Sequence, residues 1–241
     1  MSDKESASTN DHAHRVREMF ATIASRYDLL NHLLSGNIDK RWRRVVAQAL
    51  RGKLVDDEAR ILDVACGTGD LSLTLSQSGA ARIVGIDFCR PMLDVAATKS
   101  AKSGLALPFI EGDALHLPFA DRSFEAATIA FGLRNLTSVE AGIKELLRVL
   151  KPGGTVAVLE FSKPQAPVLR SLFKFYFTKL LPRFGGLISG SKSAYQYLPE
   201  SVSRFPDQEE LAAMMKDAGF AEVSYQNLTG GVAALHLGTR K

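Results

Sequence analysis

The 241-residue sequence is short of several things, and each shortage narrows its reading. It has two cysteines, Cys66 and Cys89, which excludes a disulfide scaffold and a cysteine-rich zinc fold. Its five histidines, His12, His14, His32, His116 and His236, stand in no zinc-ligating spacing, so no metal is expected. It lacks any apolar run of about 18 residues, the length that would suggest a membrane span. Its start, MSDKESASTNDHAH, lacks the basic and apolar regions of a secretory leader. These absences lead us to expect a cytoplasmic protein. Acidic residues are missing altogether between Glu160 and Glu200.

What is present is ordinary for a globular chain: 46% hydrophobic and 23% charged residues. The formal net charge of +4 is too mild to imply nucleic acid. Its distribution says more. The acid-free stretch holds Lys163, Arg170, Lys174, Lys179, Arg183 and Lys192, a local charge of +6 that leaves −2 for the rest.

Residues 1–12 are polar and are expected to be a disordered tail; residues 13–241 read as one domain. Val16, Met19, Phe20, Ile23, Ala24 and Tyr27 recur at helical spacing, Gly36-Asn37 breaks the pattern, and a second helix follows over Ile38 to Leu50. Residues 13–50 thus form a helical lid. From Arg60 strands and helices alternate. Strands are expected at 61–65, 82–86, 107–111, 126–131 and 155–160, with helices at 71–78, 91–102 and 138–150 between them. Lys151-Pro152-Gly153-Gly154 is taken as the stop of the last of these helices. The basic segment 162–206 falls outside the alternation. After it come a helix at 207–218 and two strands, 221–227 and 232–239, joined by a Gly-Gly turn. The expected fold is α/β: a doubly wound, mostly parallel seven-stranded sheet with an antiparallel last strand, a helical N-terminal extension and a helical insertion after strand five. Such sheets bind ligands beyond the carboxyl ends of their strands, where the strand order reverses.

The residues at those ends carry a pattern. In ILDVACGTGD, Gly67, Thr68 and Gly69 make a turn between strand and helix, and the glycines let backbone approach a ligand. Asp63 precedes the turn and suits loop amides or a ligand ammonium. Asp87 ends strand two, where a carboxylate holds both hydroxyls of a ribose. Asp113, in EGDALHLPF, is placed to reach an adenine amino group, and the backbone amide of Ala114 a ring nitrogen. Two cofactors compete. A dinucleotide wants a third glycine, but Ser72 stands there. S-adenosylmethionine carries no phosphate and two cationic centres, which the acids Asp63, Asp70, Asp87 and Asp113 suit. LDVACGTGD, GIDFC, EGDALHLPF and LKPGG, in that order over about 100 residues, resemble the motifs of class I S-adenosylmethionine-dependent methyltransferases. The motifs of DNA amino- and cytosine-methylating members are missing after strand four.

Longer segments narrow the resemblance. YDLLNHLLSGNIDKRW (Tyr27 to Trp42), FGLRNL, RVLKPGGTVAVLEFS (Arg148 to Ser162), SAYQYLPES and FPDQEEL resemble the menaquinone/ubiquinone biosynthesis C-methyltransferases. Within the first, Leu30 replaces a methionine and Asp39 stands where the signature has histidine. The resemblance implies methylation of a ring carbon in a prenylated quinol: demethylmenaquinol, a methoxy-benzoquinol of ubiquinone synthesis, or both. A non-catalytic cofactor-binding scaffold in a quinone-synthesis complex is a distant alternative. A carbon ortho to a hydroxyl becomes nucleophilic when that hydroxyl, of pKa about 10, loses its proton. Arg134 is expected to stabilise the phenolate or position a water, and Asn135 to bond the ring oxygen or the cofactor's methionyl part. Tyr195 and Tyr197 are expected to line the ring pocket.

Residues 166–181, APVLRSLFKFYFTKLL, read as an amphipathic helix with a broad apolar face and a basic stripe. Such a face suits an anionic membrane surface, an isoprenoid tail, or core packing. The localisation expected is cytoplasmic, peripheral to the inner face of the membrane. A homo-oligomer is left open.

Overall fold

The computed structural model describes residues 2–175 and 192–241. Its N-terminal part is helical: α1 (Ser2–Ile23), a single 3-10 turn, α2 (Tyr27–Ser35), α3 (Ile38–Ala49) and the short α4 (Arg51–Leu54). Gly36 and Asn37 separate α2 from α3, both with left-handed backbone, φ 59° and 63°. Helix α1 runs through the segment whose polar composition led us to expect disorder. That segment has no glycine or proline to stop a helix, and no apolar spacing to announce one.

Alternation begins at β1 (Arg60–Val64) and continues through α5 (Asp70–Ser76), β2 (Arg82–Asp87), α6 (Arg90–Lys102), β3 (Phe109–Glu111), β4 (Phe124–Ala130), α7 (Val139–Val149) and β5 (Leu150–Phe161). The insertion contributes α8 (Pro167–Phe175) and α9 (Lys192–Arg204). Then come α10 (Gln208–Asp217), β6 (Phe220–Leu228) and β7 (Ala233–Arg240). The boundaries follow local chemistry. Pro91 opens the first turn of α6. Ser138 caps α7, and Asp207 with Glu210 makes a capping box on α10. The expected stop holds, since α7 ends at Val149, but Lys151-Pro152-Gly153-Gly154 is not a loop. It lies inside the twelve-residue β5, where a register shift against Phe124–Ala126 absorbs the irregular backbone.

The seven strands form one sheet in the order β3-β2-β1-β4-β5-β7-β6. The first five are mutually parallel, and β7 runs antiparallel to both β5 and β6. Alternate residues serve opposite faces. Leu62, Val64, Ile129, Val156 and Val158 pack with Ile143 and Leu146 of α7 and Leu211 and Met215 of α10. Ile61, Ala126, Ala157 and Leu159 pack on the other side with Trp42, Val46 and Leu50 of α3 and Leu71 and Leu75 of α5. With both faces covered, β1 and β4 read as near-continuous apolar runs. The exception inside β1 is Asp63.

Candidate active site

Strand β1 sits at the switch point: the chain winds from it toward β2 and β3 in one direction, and later from β4 to β5 in the other. Loops leaving the carboxyl ends of β1 to β4 enclose a cavity of about 490 Å³. Its wall includes Gly67, Thr68, Asp87, Asp113, Ala114 and Asn135. Two wall residues, Ala65 after β1 and Phe131 after β4, hold left-handed backbone at φ 50° and 56° without being glycine. Strain of this kind persists where the surrounding structure fixes it.

Asp63 reaches this cavity from within the sheet, 1% exposed. Its carboxylate accepts hydrogen bonds from Ser72 Oγ at 2.6 Å and Thr128 Oγ1 at 2.8 Å. Ser72, standing where a dinucleotide fold has its third glycine, therefore gives Asp63 a partner. Both donors are neutral, and burial pushes the Asp63 pKa up to about 6. Asp87 accepts from the backbone N–H of Gly67 at 2.8 Å and of Cys89 at 2.9 Å. Burial raises its pKa, and these amide bonds oppose the rise. Each oxygen keeps a lone pair for a further donor. Asp113 stands at the open end, bonded to Leu115 N at 2.9 Å and facing His116 Nδ1 at 3.2 Å.

Gly67 and Gly69 do different work. A Cβ on Gly67 would meet nothing within 4 Å. Gly69, at φ 79°, is no part of the cavity wall: a Cβ there would lie 3.0 Å from Ala96 Cβ and 3.1 Å from the Phe109 ring. It starts α5 tightly against α6 and β3, where the crowding and the left-handed backbone both favour glycine.

Asn135 lines the cavity in the turn after β4; Arg134 is beside it but not on the wall. The Arg134 side chain is 6% exposed and ion-paired with Glu160, Nη1 to Oε1 2.6 Å. The Tyr197 hydroxyl donates to Asn135 Oδ1 at 3.1 Å. Tyr195 falls in α9, and its side chain lies outside the described residues. So does the second half of the expected amphipathic helix, beyond Phe175.

Sequence reasoning missed the far wall. Ala13, Arg17 and Phe20 of α1, with Tyr27 and Arg43, close the cavity opposite the strand ends. Arg17 pairs with Glu111 at 2.5 Å. The apolar spacing of α1 was visible, but an apolar helix face reads alike whether it covers core or cofactor. Arg43 was hidden in the basic run Lys40 to Arg44. Its neighbours Lys40, Arg41 and Arg44 are exposed, whereas Arg43 is buried and paired with Asp39.

These helices are tied to the glycine turn by charge. Asp28 of α2 accepts from Thr68 Oγ1 at 2.5 Å and pairs with Lys99 of α6 at 2.6 Å. Lys99 also pairs with Asp70 at the start of α5. His32 Nδ1 lies 2.8 Å from Asp39 Oδ2, so the acid at position 39 is in contact with an imidazole from α2. Burial would raise the Asp39 carboxyl, but hydrogen bonds from Ser35 and Arg43 hold it below the ordinary value. His32, Asp39 and Asp70 converge within 4.8 Å, a spacing that suits a metal. The guanidinium of Arg43 and the ammonium of Lys99 already sit on those carboxylates.

A parallel sheet closed by one reversed strand, with a glycine turn leaving β1, is the architecture of class I S-adenosylmethionine-dependent methyltransferases, and the fold puts the chain in that class. A solved S-adenosylmethionine-dependent methyltransferase of Thermotoga maritima, described as a possible histamine N-methyltransferase, superposes with a TM-score of 0.65 at 19% identity, over 93% of this chain and 99% of that one. Residues 8–240 match the ubiE/COQ5 methyltransferase family, and the chain belongs to it. Among curated relatives, a demethylmenaquinone methyltransferase of Thermus thermophilus is 52% identical over 92% of this chain and all of that protein. One of Deinococcus radiodurans is 46% identical over 96% of this chain and 95% of that protein. A ubiquinone/menaquinone biosynthesis C-methyltransferase of a Geobacter species is 45% identical over 94% and 96%. The cofactor is S-adenosylmethionine, and the donor set fits it: Asp63 is a buried carboxylate on the cavity wall, hydrogen-bonded by neutral groups of Ser72 and Thr128 and with Arg43 acting on it without a direct ion pair, which suits an incoming ammonium.

Proposed function

We propose that the protein methylates a ring carbon of demethylmenaquinol, the last step to menaquinol. The observation that carries this reading is the junction of two sites. A cavity bounded by Asp63, Asp87 and Asp113 meets, at Asn135, a turn holding a buried arginine.

In this reading Asp63 holds the ammonium of the cofactor, Asp87 its ribose hydroxyls and Asp113 its adenine amino group. The amides of Gly67, Thr68 and Ala114 complete the cradle, and Gly69 shapes the turn. The cofactor supplies an electrophilic methyl group on a sulfonium, whose sulfur leaves neutral and needs no acid. The chain's own work is on the acceptor. Arg134 favours the phenolate form of the quinol by placing positive charge beside the ring oxygen in a low-dielectric setting. Asn135, held by Tyr197, keeps an amide hydrogen for the ring or the methionyl group. Tyr27 and Phe20, edge to face at 6.0 Å, wall off water. The new carbon–carbon bond is balanced by loss of the ring proton, which restores aromaticity. Holding both reactants face to face supplies much of the rate.

The benzoquinol of ubiquinone synthesis is the second reading, favoured by relatives named for both pathways. Among the described residues no helix is long and apolar enough to cross a membrane. Contact with an anionic membrane surface is supported by α8, whose Val168, Leu172 and Phe175 are 82%, 61% and 53% exposed.

The test is methyl transfer from labelled S-adenosylmethionine to demethylmenaquinone, with and without a reductant, beside a methoxy-benzoquinone of equal tail. The expected product forms only from the reduced naphthoquinone. Product from both quinols makes the enzyme serve both pathways. Cofactor binding without product from either returns the chain to the scaffold alternative.

A further inference from the structure

Glu160 is charged, 1% exposed and near the end of β5, beyond the cavity wall. A carboxylate so deep costs free energy unless its oxygens are engaged. They are, and mostly by Arg134. Oε1 accepts from Arg134 Nη1 at 2.6 Å and from the backbone N–H of Phe161 at 2.8 Å. Oε2 faces the backbone N–H of Arg134 at 3.4 Å. The glutamate thus holds both the main chain and the side chain of Arg134, tying the end of β5 to the turn after β4. The Phe161 ring, 5.3 Å from Cζ, sets the guanidinium plane. Phe131 O accepts from Arg134 Nη1 at 2.5 Å and from Asn135 Nδ2 at 3.2 Å, so the two side chains share one acceptor.

These contacts spend Nη1 and leave the N–H groups of Nη2 and, deeper in, that of Nε. That buried nitrogen has no hydrogen-bond partner among the described residues. Buried donors without acceptors are rare in native proteins, and each calls for an explanation. An arginine cannot serve as a base; a fixed, unspent N–H is a donor waiting for an oxygen.

We infer that Glu160 is a positioning residue for methyl transfer: it holds Arg134 so that the N–H groups left unspent, on Nη2 and Nε, are the donors presented to the ring oxygen of the quinol. The inference rests on the reading of Arg134 given above. Glu160 touches neither substrate nor cofactor and acts only through the arginine.

The experiment is a double-mutant cycle on the full-length chain with Glu160→Gln, Arg134→Met and the pair together, reading kcat, quinol KM and the cofactor dissociation constant. Glu160→Gln should lower kcat by about 30-fold or more, as misplaced catalytic donors do. Cofactor affinity should stay within about threefold, because Asp63 and Asp87 are untouched. The double variant should be no slower than Arg134→Met alone, since the glutamate has nothing left to position. It also removes both buried charges and so stays foldable where Glu160→Gln leaves one unpaired. Glu160→Asp offers a second variant that keeps the charge and withdraws it by one methylene; kcat should fall about tenfold with cofactor binding intact. Losses that multiply in the double variant, a Glu160→Gln enzyme with normal kcat, or a loss confined to cofactor binding would each overturn the inference. A fully active Arg134→Met enzyme would instead overturn the role given to Arg134 itself.

Discussion

At the scale of single residues, Asp63 concentrates the physics of the site. It is the polar residue inside an apolar strand, and it is sheltered by Ser72 and Thr128 without a cation in contact. Burial pushes its pKa up to about 6, above the ordinary carboxylate value. The sign of the consequence follows. Between pH 4 and 6, roughly, the native protein holds a proton at Asp63 that the unfolded chain has released, so this group's contribution to stability declines as pH rises across that window. A cationic ligand reverses the preference, because it binds the ionised form. Cofactor affinity should therefore rise with pH up to about 6 and level off above it, approaching tenfold per unit on the acid side. Calorimetric titration from pH 5 to pH 7.5 reads this directly. Asp63→Asn should bind more weakly at pH 7 and show a flat profile; a slope in the variant equal to the wild type would assign the titration to another group.

At the scale of elements, the N-terminal helices owe their place to paired charges as well as to the apolar core that Trp42, Val46 and Leu54 enter. Helices α2, α3, α5 and α6 meet at Asp28, His32, Asp39, Arg43, Asp70 and Lys99. The His32–Asp39 contact joins α2 to α3 and shelters Arg43, so its two members should be exchangeable. Asp39→His strips the buried Arg43 of its main partner, and His32→Asp sets a third carboxylate against Asp39 and Asp70. Loss of a buried partner costs about 3 kcal/mol, which in a chain of this size lowers the melting midpoint by roughly 6–12 °C. The exchanged pair, His32→Asp with Asp39→His, should recover at least half of either loss in a thermal melt. Midpoint losses that simply add would mean that the contact carries no coupling.

The same elements show what the sequence made legible. Strands β1, β2 and β4 were readable because their apolar runs end abruptly; Asp87 was readable at the end of β2, Asp113 just past β3, and Asp63 as the lone acid inside β1. The partner of Asp39 was not readable: a histidine seven residues earlier has no sequence mark that sets it against that carboxylate. Nor was the burial of Arg43, since the four basic residues flanking Trp42 look alike until a helix turns one of them inward. The contribution of Arg17 and Phe20 depends on α1 crossing above the strand ends, a tertiary fact with no local signature. Lys151 to Gly154 carries turn residues, yet the sheet edge opposite Phe124 accommodates them as an irregular stretch of β5.

At the scale of the whole molecule, an acid-free basic stretch and three of the exposed large apolar side chains fall on one segment. A prenylated quinol resides in lipid, so an enzyme acting on it gains from a surface that meets the bilayer. Val168, Leu172 and Phe175 stand on one side of α8 at steps of four and three residues, exposed to water. Full burial of such side chains stabilises by about 1.5–3 kcal/mol each. The surrounding stretch carries six basic residues and no acid, and each basic group near an anionic surface adds about 1 kcal/mol, screened over a Debye length of about 8 Å at physiological salt. The two contributions are comparable, so neither alone should suffice. In flotation with anionic vesicles the protein should bind at low salt and be released as salt rises toward about 0.5 M. Replacing Val168, Leu172 and Phe175 together with serine should weaken retention even at low salt, while cofactor affinity stays unchanged because none of the three lines the cavity. Equal partition onto neutral vesicles at every salt concentration would remove the electrostatic part. Full retention of the triple variant would remove the apolar part, and the quinol would then have to reach Asn135 by a route that does not use α8.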